Sequence, residues 1–546
     1  MTATAPATPS VRLTHRQIVT IMIGLMLGMF LAALDQTIVS TSIRTIADDL
    51  QGLQNQAWAT TAYLITSTIV TPLYGKLSDI YGRKPFFITA ISIFIVGSVL
   101  CTISTSMMEL AAFRAIQGLG AGGLMSLALA IIGDIVPPRE RARYQGYFLA
   151  VFGTSSVFGP VIGGFLAGQD TILGITGWRW VFLVNVPIAL IALIVVTKTL
   201  HLKHHRLNHR IDWLGAVLLS IGLVPLLLVA EQGREWGWGS TGAIICYVIG
   251  VIGLAAFHAQ EWRMGDEALL PLRMFLNRTV GVASAGGMLI GVAMFGGLAS
   301  LPLYLQIVKG ASPTEAGLQM LPMTLGIMTG SILSGQIISR TGRYRVFPII
   351  GGAMLMLALF VFHFVSWDTP LWQTMIVMVF FGIGLGFNFQ PLTLAVQNAV
   401  SRSQIGVATS TATFSRQIGG TIGTAVFLSV LFSTLPDKIS SAMQSAAKTP
   451  DFQAALADPA NAQVAEQLAK GASGTGVLQD SSFLTTLDPR LAVPFQQGFS
   501  DAMDLVFLLG AAVMVVGFLV LTRLPDVELR QGVPAEDQPT APAPAH

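Results

Sequence analysis

Long apolar runs recur along this chain from residue 18 to residue 523, separated by short polar segments. Most are about 20 residues long, which is the length that a helix needs to cross a bilayer and about twice that of a membrane β-strand. Hydrophobic residues make up 53% of the 546 residues and charged residues only 11%, against roughly 25% charged residues in soluble domains. The pattern predicts an all-α integral membrane protein and excludes a soluble one.

A sliding window of about 19 residues separates these runs into fourteen predicted transmembrane helices. Their limits are 18–41, 56–75, 85–105, 109–133, 144–168, 179–199, 212–232, 240–262, 279–308, 314–338, 346–366, 371–397, 404–433 and 500–523.

The basic residues concentrate on alternate polar segments of the chain. With the N-terminus in the cytoplasm, 21 of the 31 Lys and Arg residues fall on cytoplasmic segments. Four of the other ten lie in one long segment at 434–499, which the positive-inside rule discounts because of its length. The bias predicts that both termini are cytoplasmic, which requires an even number of spans. The 434–499 segment is then extracytoplasmic, and its composition is compatible with a spacer or with a functional cap.

A short motif occurs twice, at Gly75–Lys84 after span two and at Gly335–Arg345 after span ten. Two six-span halves joined by two inserted spans explain this spacing, and many secondary transporters are built from paired halves. The predicted domains are a cytoplasmic tail at 1–17, six-helix halves at 18–199 and 279–523, a basic linker with two inserted helices at 200–278, and a disordered cytoplasmic tail at 524–546.

These motifs resemble those of the major facilitator superfamily, and in particular its fourteen-span drug:proton antiporter branch. The Gly75–Lys84 segment is similar to the inner-loop signature of the superfamily. The other matching segments are Leu34–Val39 in span one, Leu110–Gly118 in span four, Gly153–Gly164 in span five, Trp178–Pro187 in span six and Arg416–Gly420 in span thirteen. The resemblance implies the major facilitator fold with helices arranged as six, two and six. Span one carries Ser40-Thr41-Ser42 where the branch often has Asn-Val-Ala, which leaves the identity of the cargo open.

The resemblance also implies roles for two groups of residues. Charges at the inner face would latch the outward-open state, whereas the alternative is ordinary solvated loop charge. This gating group consists of Gly75, Asp79, Gly82, Arg83, Lys84 and Asp134. The antiporter motif, which favours export over uptake, consists of Gly153, Gly159, Pro160, Gly163 and Gly164. Independently of the resemblance, the glycines of span five predict close helix contacts, and Gly75 and Gly82 predict a tight inner turn.

Asp35 and Arg114 are charged residues within apolar runs, where a charge is costly and commonly marks an ion or proton pathway. Asp35 lies 17 residues after Ile18, about 26 Å along a helix. Arg114 lies five residues after Glu109 on the returning span, about 8 Å from the outer side. The matching depths predict that the two side chains form a pair, which can act as a proton switch. In the family that the chain resembles, the matching Arg is associated with proton coupling. The alternatives are an interfacial Asp35 and a fixed structural ion pair.

A cargo cavity between the two halves would be lined by aromatic and amide side chains suited to loose binding of amphiphiles. The candidates are Gln36, Gln117, Asn185, Tyr304, Gln306, Phe387, Asn388, Phe389, Gln390 and Arg416. Arg416 has no evident acidic partner, so it could bind an anionic part of the cargo or pair with a backbone carbonyl.

The sequence lacks a phosphate-binding Gly-x-x-x-x-Gly-Lys-Ser/Thr loop and a His/Cys cluster. We therefore expect a secondary exporter in a bacterial inner membrane and not an enzyme. The exporter would need no cofactor or metal and would be driven by the proton gradient. It would exchange protons for a hydrophobic, cationic, drug-like compound, with membrane lipids as its surroundings, no nucleic-acid partner and a monomeric state. An exporter of an endogenous lipid, siderophore or metabolite is the alternative with the same fold. A membrane receptor without transport activity is the alternative from another class.

Overall fold

A computed structural model describes residues 15–51, 56–200, 211–458, 461 and 487–529. In its first half, the helices are α1 (His15–Asp49), α2 (Gln56–Tyr81), α3 (Arg83–Thr102), α4 (Met107–Ile135), α5 (Pro138–Ala167), α6 (Trp180–Leu183) and α7 (Asn185–Thr199). Two further helices follow, α8 (Trp213–Trp236) and α9 (Thr241–Met264). The rest are α10 (Arg278–Leu303), α11 (Pro313–Gln319), α12 (Leu321–Thr341), α13 (Val346–Phe362), α14 (Leu371–Asn398), α15 (Ile405–Ala446), α16 (Pro450–Ala457) and α17 (Pro489–Thr522).

The fourteen predicted spans all fall on these helices. Within the described ranges, eleven helical segments are long and apolar enough to cross a membrane. The three predicted spans outside that group fall on α2, α5 and α13. The all-α membrane architecture is thus confirmed, while the number of fourteen crossings stays a prediction.

Helices α15 and α17 are longer than the apolar runs that predicted them. With 42 and 34 residues, they extend about 63 Å and 51 Å at 1.5 Å per residue, well beyond a ~30 Å hydrocarbon core. Leu435 and Ile439 form a buried stripe on α15, four residues apart, which packs with Phe495 and Phe499 of α17. The helices therefore extend into the predicted extracytoplasmic segment 434–499 from both ends, because this packed stripe keeps the chain helical after the hydropathy has fallen.

A small β-ribbon between α5 and α6 is also absent from the sequence prediction. Strand β1 (Thr171–Ile172) pairs antiparallel with β2 (Ile175–Thr176). Leu173 and Gly174 have φ of 51° and 78°, the left-handed pair that a tight two-residue hairpin requires. The ribbon is too short for an alternating pattern to predict it.

The buried apolar side chains form separate clusters in the two halves. One large cluster draws only on residues between Met274 and Leu529, and two smaller clusters draw only on residues between Ile18 and Leu200. A fourth joins Leu223 of α8 to Ile65 of α2 and Phe414 of α15. The inserted helix α8 therefore packs across the boundary between the halves. The predicted domain limits remain predictions.

The two ends of the bundle are distinguished by the motifs that they carry. The basic end holds the Gly75–Lys84 segment, the end of α4 and the start of α15, and it is the end predicted to face the cytoplasm. The loop end holds the extensions of α15 and α17.

Candidate functional site

Asp35 lies in the interior of α1 and its side chain is fully buried. Its Oδ2 accepts a hydrogen bond from Nη1 of Arg114 on α4 at 2.5 Å, which forms an ion pair. Its Oδ1 accepts from Nε2 of Gln117 at 2.9 Å and from Nδ2 of Asn185 at 2.7 Å. The carboxylate thus has three donors from α4 and α7, and it is not exposed to water at the interface.

Arg114 has further partners that account for its own burial. Its Nε donates to the carbonyl of Ala59 at 3.3 Å, and its Nη1 also donates to Oε1 of Gln117 at 2.6 Å. The guanidinium lies 4.1 Å from the centre of the Tyr63 ring, a distance that allows cation–π attraction. Helix α4 can pass this close because Gly118 packs directly against the backbone of Tyr63.

The sequence analysis placed Gln117 and Asn185 in the cargo cavity, but the structure places both in the shell around Asp35. Both side chains are fully buried. Gln117 also donates to Oγ of Ser98 at 2.8 Å. Asn185 begins α7, two residues before Pro187. Because proline has no backbone N–H, the helix is interrupted here, and the amide of Asn185 is held at the height of Asp35.

The remaining predicted cavity residues do not share one surface. Phe387 and Asn388 pack against α13, at Phe347 and Gly351 respectively. Tyr304 is buried near the loop end and donates to the carbonyl of Ser366 at 3.1 Å. Gln36, Gln306 and Phe389 are partly exposed, whereas Gln390 and Arg416 are buried. Their predicted contact with cargo stays a prediction.

At the basic end, Arg83 joins the two predicted acidic residues. Its Nη2 lies 2.5 Å from Oδ1 of Asp79, and its Nε lies 2.7 Å from Oδ2 of Asp134 on α4. Its Nη1 donates to Oγ of Ser78 at 2.6 Å. Arg83 and Asp79 are both buried, so the charges form a closed cluster and not a solvated loop.

Asp79 also contacts the other half of the protein. Its Oδ2 accepts from the backbone N–H of Val407 at 2.7 Å, and its Oδ1 accepts from that of Gly406 at 3.1 Å. These N–H groups belong to the first turn of α15, where no helical carbonyl is available to them and the helix dipole attracts a negative charge. Sequence analysis missed this contact, because backbone donors leave no signal in the side-chain pattern.

A second contact between the halves lies beside the first. Nε2 of Gln397 on α14 donates to the carbonyl of Leu129 on α4 at 3.1 Å. The first and second halves therefore contact each other directly at the basic end.

The other residues of the predicted gating group have different roles in the fold. Gly82 has φ of 102° and forms the turn between α2 and α3, as predicted. Gly75 lies inside α2, so the predicted turn at this position is wrong. A side chain there would collide with Ser410 of α15. Lys84 donates to the carbonyl of Thr197 at 2.7 Å, within the first half.

The span-five glycines mostly serve close contacts of α5. A Cβ atom at Gly159 or Gly163 would collide with α1, at Thr37 and Thr41 respectively, and one at Gly153 would collide with α12. Pro160 lies inside α5. Gly164 is exposed and has no atom within 4 Å of its Cβ position, so the predicted helix contact is wrong there.

Comparison with known families connects this architecture to a defined group. A family model described as the Major Facilitator Superfamily matches residues 25–424, which include the Asp35 cluster and the basic-end contacts. The chain belongs to the major facilitator superfamily. It is therefore a multi-pass membrane transporter of a superfamily whose members carry small molecules.

The relatives of this transporter include two proteins that are named for drug transport or drug resistance. The multidrug transporter protein MdtP of Bacillus subtilis is 33% identical over 524 residues, which cover 94% of each chain. An MFS-type transporter of Mycobacterium tuberculosis is 34% identical over 511 residues, covering 93% of this chain and 70% of the relative. A tetracycline resistance determinant of Streptomyces rimosus is 36% identical over 335 residues, covering 60% of this chain and 95% of the relative.

Solved structures confirm the fold. The proton:xylose symporter XylE aligns with a TM-score of 0.58 at 15% identity, covering 94% of this chain and 98% of that one. The human organic anion transporter MFSD10 aligns with a TM-score of 0.56 at 16% identity, covering 92% and 99%. At these identities the likeness concerns the fold alone.

Proposed function

We propose that this transporter is a proton-coupled exporter of hydrophobic, drug-like compounds that works by alternating access. The relatives named for multidrug and tetracycline resistance support the drug-like cargo. The observation that carries the coupling is the buried ion pair between Asp35 and Arg114.

Protonation of Asp35 would change the charge of a closed site. In the structure the carboxylate and the guanidinium balance each other, and both are shielded from water. A proton on Asp35 removes the negative charge and leaves Arg114 as an uncompensated cation, which is strongly unfavourable in a buried site. The site then becomes more stable if it rearranges, and this links the arrival of a proton to a conformational change.

The contacts at the basic end supply the other part of the cycle. With Asp79 bound to the first turn of α15, the halves are held together on the predicted cytoplasmic side. Cargo would enter from that side only after these bonds break. In this cycle the transporter admits cargo while Asp35 is ionised. Protonation of Asp35 from the loop end then releases the cargo.

The proposed location is the cytoplasmic membrane of a bacterium, with both termini in the cytoplasm. The distribution of Lys and Arg residues supports this orientation, and the bacterial relatives support the assignment to a bacterial membrane. The proposed transporter acts as a monomer without a cofactor.

Vesicles reconstituted with the purified protein test the proposal. An imposed pH gradient should drive movement of the fluorescent cation rhodamine 123, and a protonophore should stop it. Asp35→Asn should abolish gradient-driven transport, whereas Asp48→Asn, which changes an exposed carboxylate on the same helix, should retain it. Wild-type rates in Asp35→Asn would refute the coupling, and no movement of dye by the wild type would refute drug export.

A further inference from the structure

Arg416 is a buried cation at the middle of the second half. It is the twelfth residue of α15, which begins at Ile405, and so lies about 17 Å along the helix from the basic end. Its backbone is in contact with Gly291 of α10. Its guanidinium lies 3.7 Å from the centre of the Phe389 ring of α14. Three helices therefore fix its position.

The other buried arginines of the described chain all have oxygen partners. Arg83 has Asp79 and Asp134, and Arg114 has Asp35. Arg141, a residue of α5, donates to the backbone carbonyls of Val136 and Gly133. Each of these arginines therefore donates to oxygen atoms of the protein.

Arg416 differs from them. Among the described residues, no carboxylate lies within 4.0 Å of its guanidinium, and no oxygen accepts a hydrogen bond from it. Its side chain is 8% exposed. A guanidinium stacked on a ring presents its N–H donors at the edge of its plane, in the fork that matches a carboxylate. The site thus has an ordered cation whose donors are available.

A second polar group without a partner follows Phe389 on α14. Gln390 is 4% exposed, and neither its Nε2 nor its Oε1 makes a hydrogen bond. Gln417, which follows Arg416, also has a buried Oε1 without a partner. Buried amides without partners are rare in folded proteins because the lost hydrogen bonds to water are not replaced. Arg416 and Gln390 thus leave donors without acceptors on two helices that contact each other, and a ligand with acceptor oxygens would satisfy them.

We propose that Arg416 and Gln390 bind a carboxylate of the cargo, so that the exported compounds include amphiphiles that carry an anionic group, zwitterions among them. Phe389 would contact the apolar part beside the carboxylate and keep the guanidinium oriented. This inference rests on the proposed export function and specifies its substrate class. The cargo carboxylate would neutralise Arg416, the one buried arginine to which the described chain supplies no oxygen partner.

Two fluorescent dyes provide a direct test. Rhodamine 110 carries a free carboxylate, and rhodamine 123 is its methyl ester. Arg416→Gln should reduce gradient-driven transport of rhodamine 110 by about tenfold or more, the change expected when a charge-assisted hydrogen-bonded pair is lost. Transport of rhodamine 123 should change less than about twofold. Arg416→Lys should give an intermediate loss for rhodamine 110, because a lysine keeps the charge without the planar fork.

Gln390→Met gives a second variant that should fold, because it removes an amide that has no partner. It should reduce transport of rhodamine 110 by a larger factor than transport of rhodamine 123. Binding of each dye to the detergent-solubilised protein is measured by fluorescence anisotropy. This measurement tests the inference independently of proton coupling. If transport fails in the wild type while Arg416→Gln selectively weakens rhodamine 110 binding, the export function is wrong and the carboxylate site is retained. Equal losses for both dyes, or no loss for either, would overturn the carboxylate site.

Discussion

Asp79 of α2 accepts a hydrogen bond from the backbone N–H of Val407 of α15 at 2.7 Å, so a carboxylate of one half caps a helix of the other half. The same carboxylate pairs with Arg83, which in turn pairs with Asp134. The cap and the ion pairs therefore form one connected unit. Separation of the halves at the basic end must break the cap, whereas the ion pairs lie within the first half and can survive.

The first prediction concerns this cap. Asp79→Asn removes the charge that interacts with the first turn of α15, and hydrogen bonds to charged groups are worth ~1.5–3 kcal/mol. We expect the basic end to open more often, by about tenfold or more. The measurement is maleimide labelling of a cysteine placed at Ser410, which is buried beside Gly75, after replacement of Cys246 by serine.

Lys84→Gln provides the matched control for this prediction. Lys84 belongs to the same motif, but it donates to the carbonyl of Thr197 within the first half. Labelling of the cysteine at 410 should be the same as in the parent protein. Equal labelling in the Asp79 and Lys84 variants would show that the cap does not hold the halves together.

A second prediction separates two glycines of α5. Gly159→Ala introduces a methyl group that collides with Thr37 of α1, and overpacking of this kind costs ~1–3 kcal/mol. Gly164→Ala meets no atom within 4 Å and should be neutral or slightly stabilising, since alanine favours the helix. Thermal unfolding in detergent should give a lower Tm for the first variant only. Equal values of Tm would contradict the close contact of α1 with α5.

The membrane helices and the ion pairs could be predicted from the sequence for a common physical reason. An apolar medium requires the backbone to bond within each helix, and it requires each charge to have a partner. Asp35 and Arg114 are charged residues at matching depth in the first and fourth apolar runs. Their pairing at 2.5 Å follows from that placement.

Other parts of the site could not be predicted, because they depend on which way a helix faces. Gln117 and Asn185 were assigned to the cavity from their residue type, and only the rotation of α4 and α7 directs them to Asp35. Runs that are apolar on every side carry no periodic signal for that rotation. The cap on Val407 is a backbone contact, which a residue pattern cannot reveal.

A third prediction concerns pH at the loop end. Asp488 caps α17, and hydrogen bonds from the side chain and backbone of Arg490 and from Asn461 hold its pKa well below its usual range. A group with a lowered pKa in the folded state stabilises that state above its unfolded pKa, and the contribution is lost as the pH falls through the folded value. We expect hydrogen exchange at Leu491 and Ala492 to stay slow through the range in which an ordinary aspartate titrates, and to accelerate only in stronger acid.

Arg490→Gln tests the cause of this shift. Without the guanidinium, the pKa of Asp488 should rise towards its ordinary value, so exchange at the start of α17 should accelerate at a higher pH than in the wild type. Asp488→Ala should exchange faster at every pH, because the cap is absent. A wild-type profile that accelerates in the ordinary aspartate range would contradict the assignment.

The last prediction concerns the donors around Asp35. Asn185→Leu removes the Nδ2 donor that lies 2.7 Å from Oδ1 of Asp35 and leaves Arg114 and Gln117 as the donors to this carboxylate. Hydrogen bonds to charged groups are worth ~1.5–3 kcal/mol, so we expect the rate of gradient-driven dye export to fall by about tenfold or more. Ser98→Ala, which removes a partner of Gln117 but no contact of Asp35, should lower the rate much less. Equal export rates in the two variants would show that transport does not depend on the donors that hold Asp35 in place.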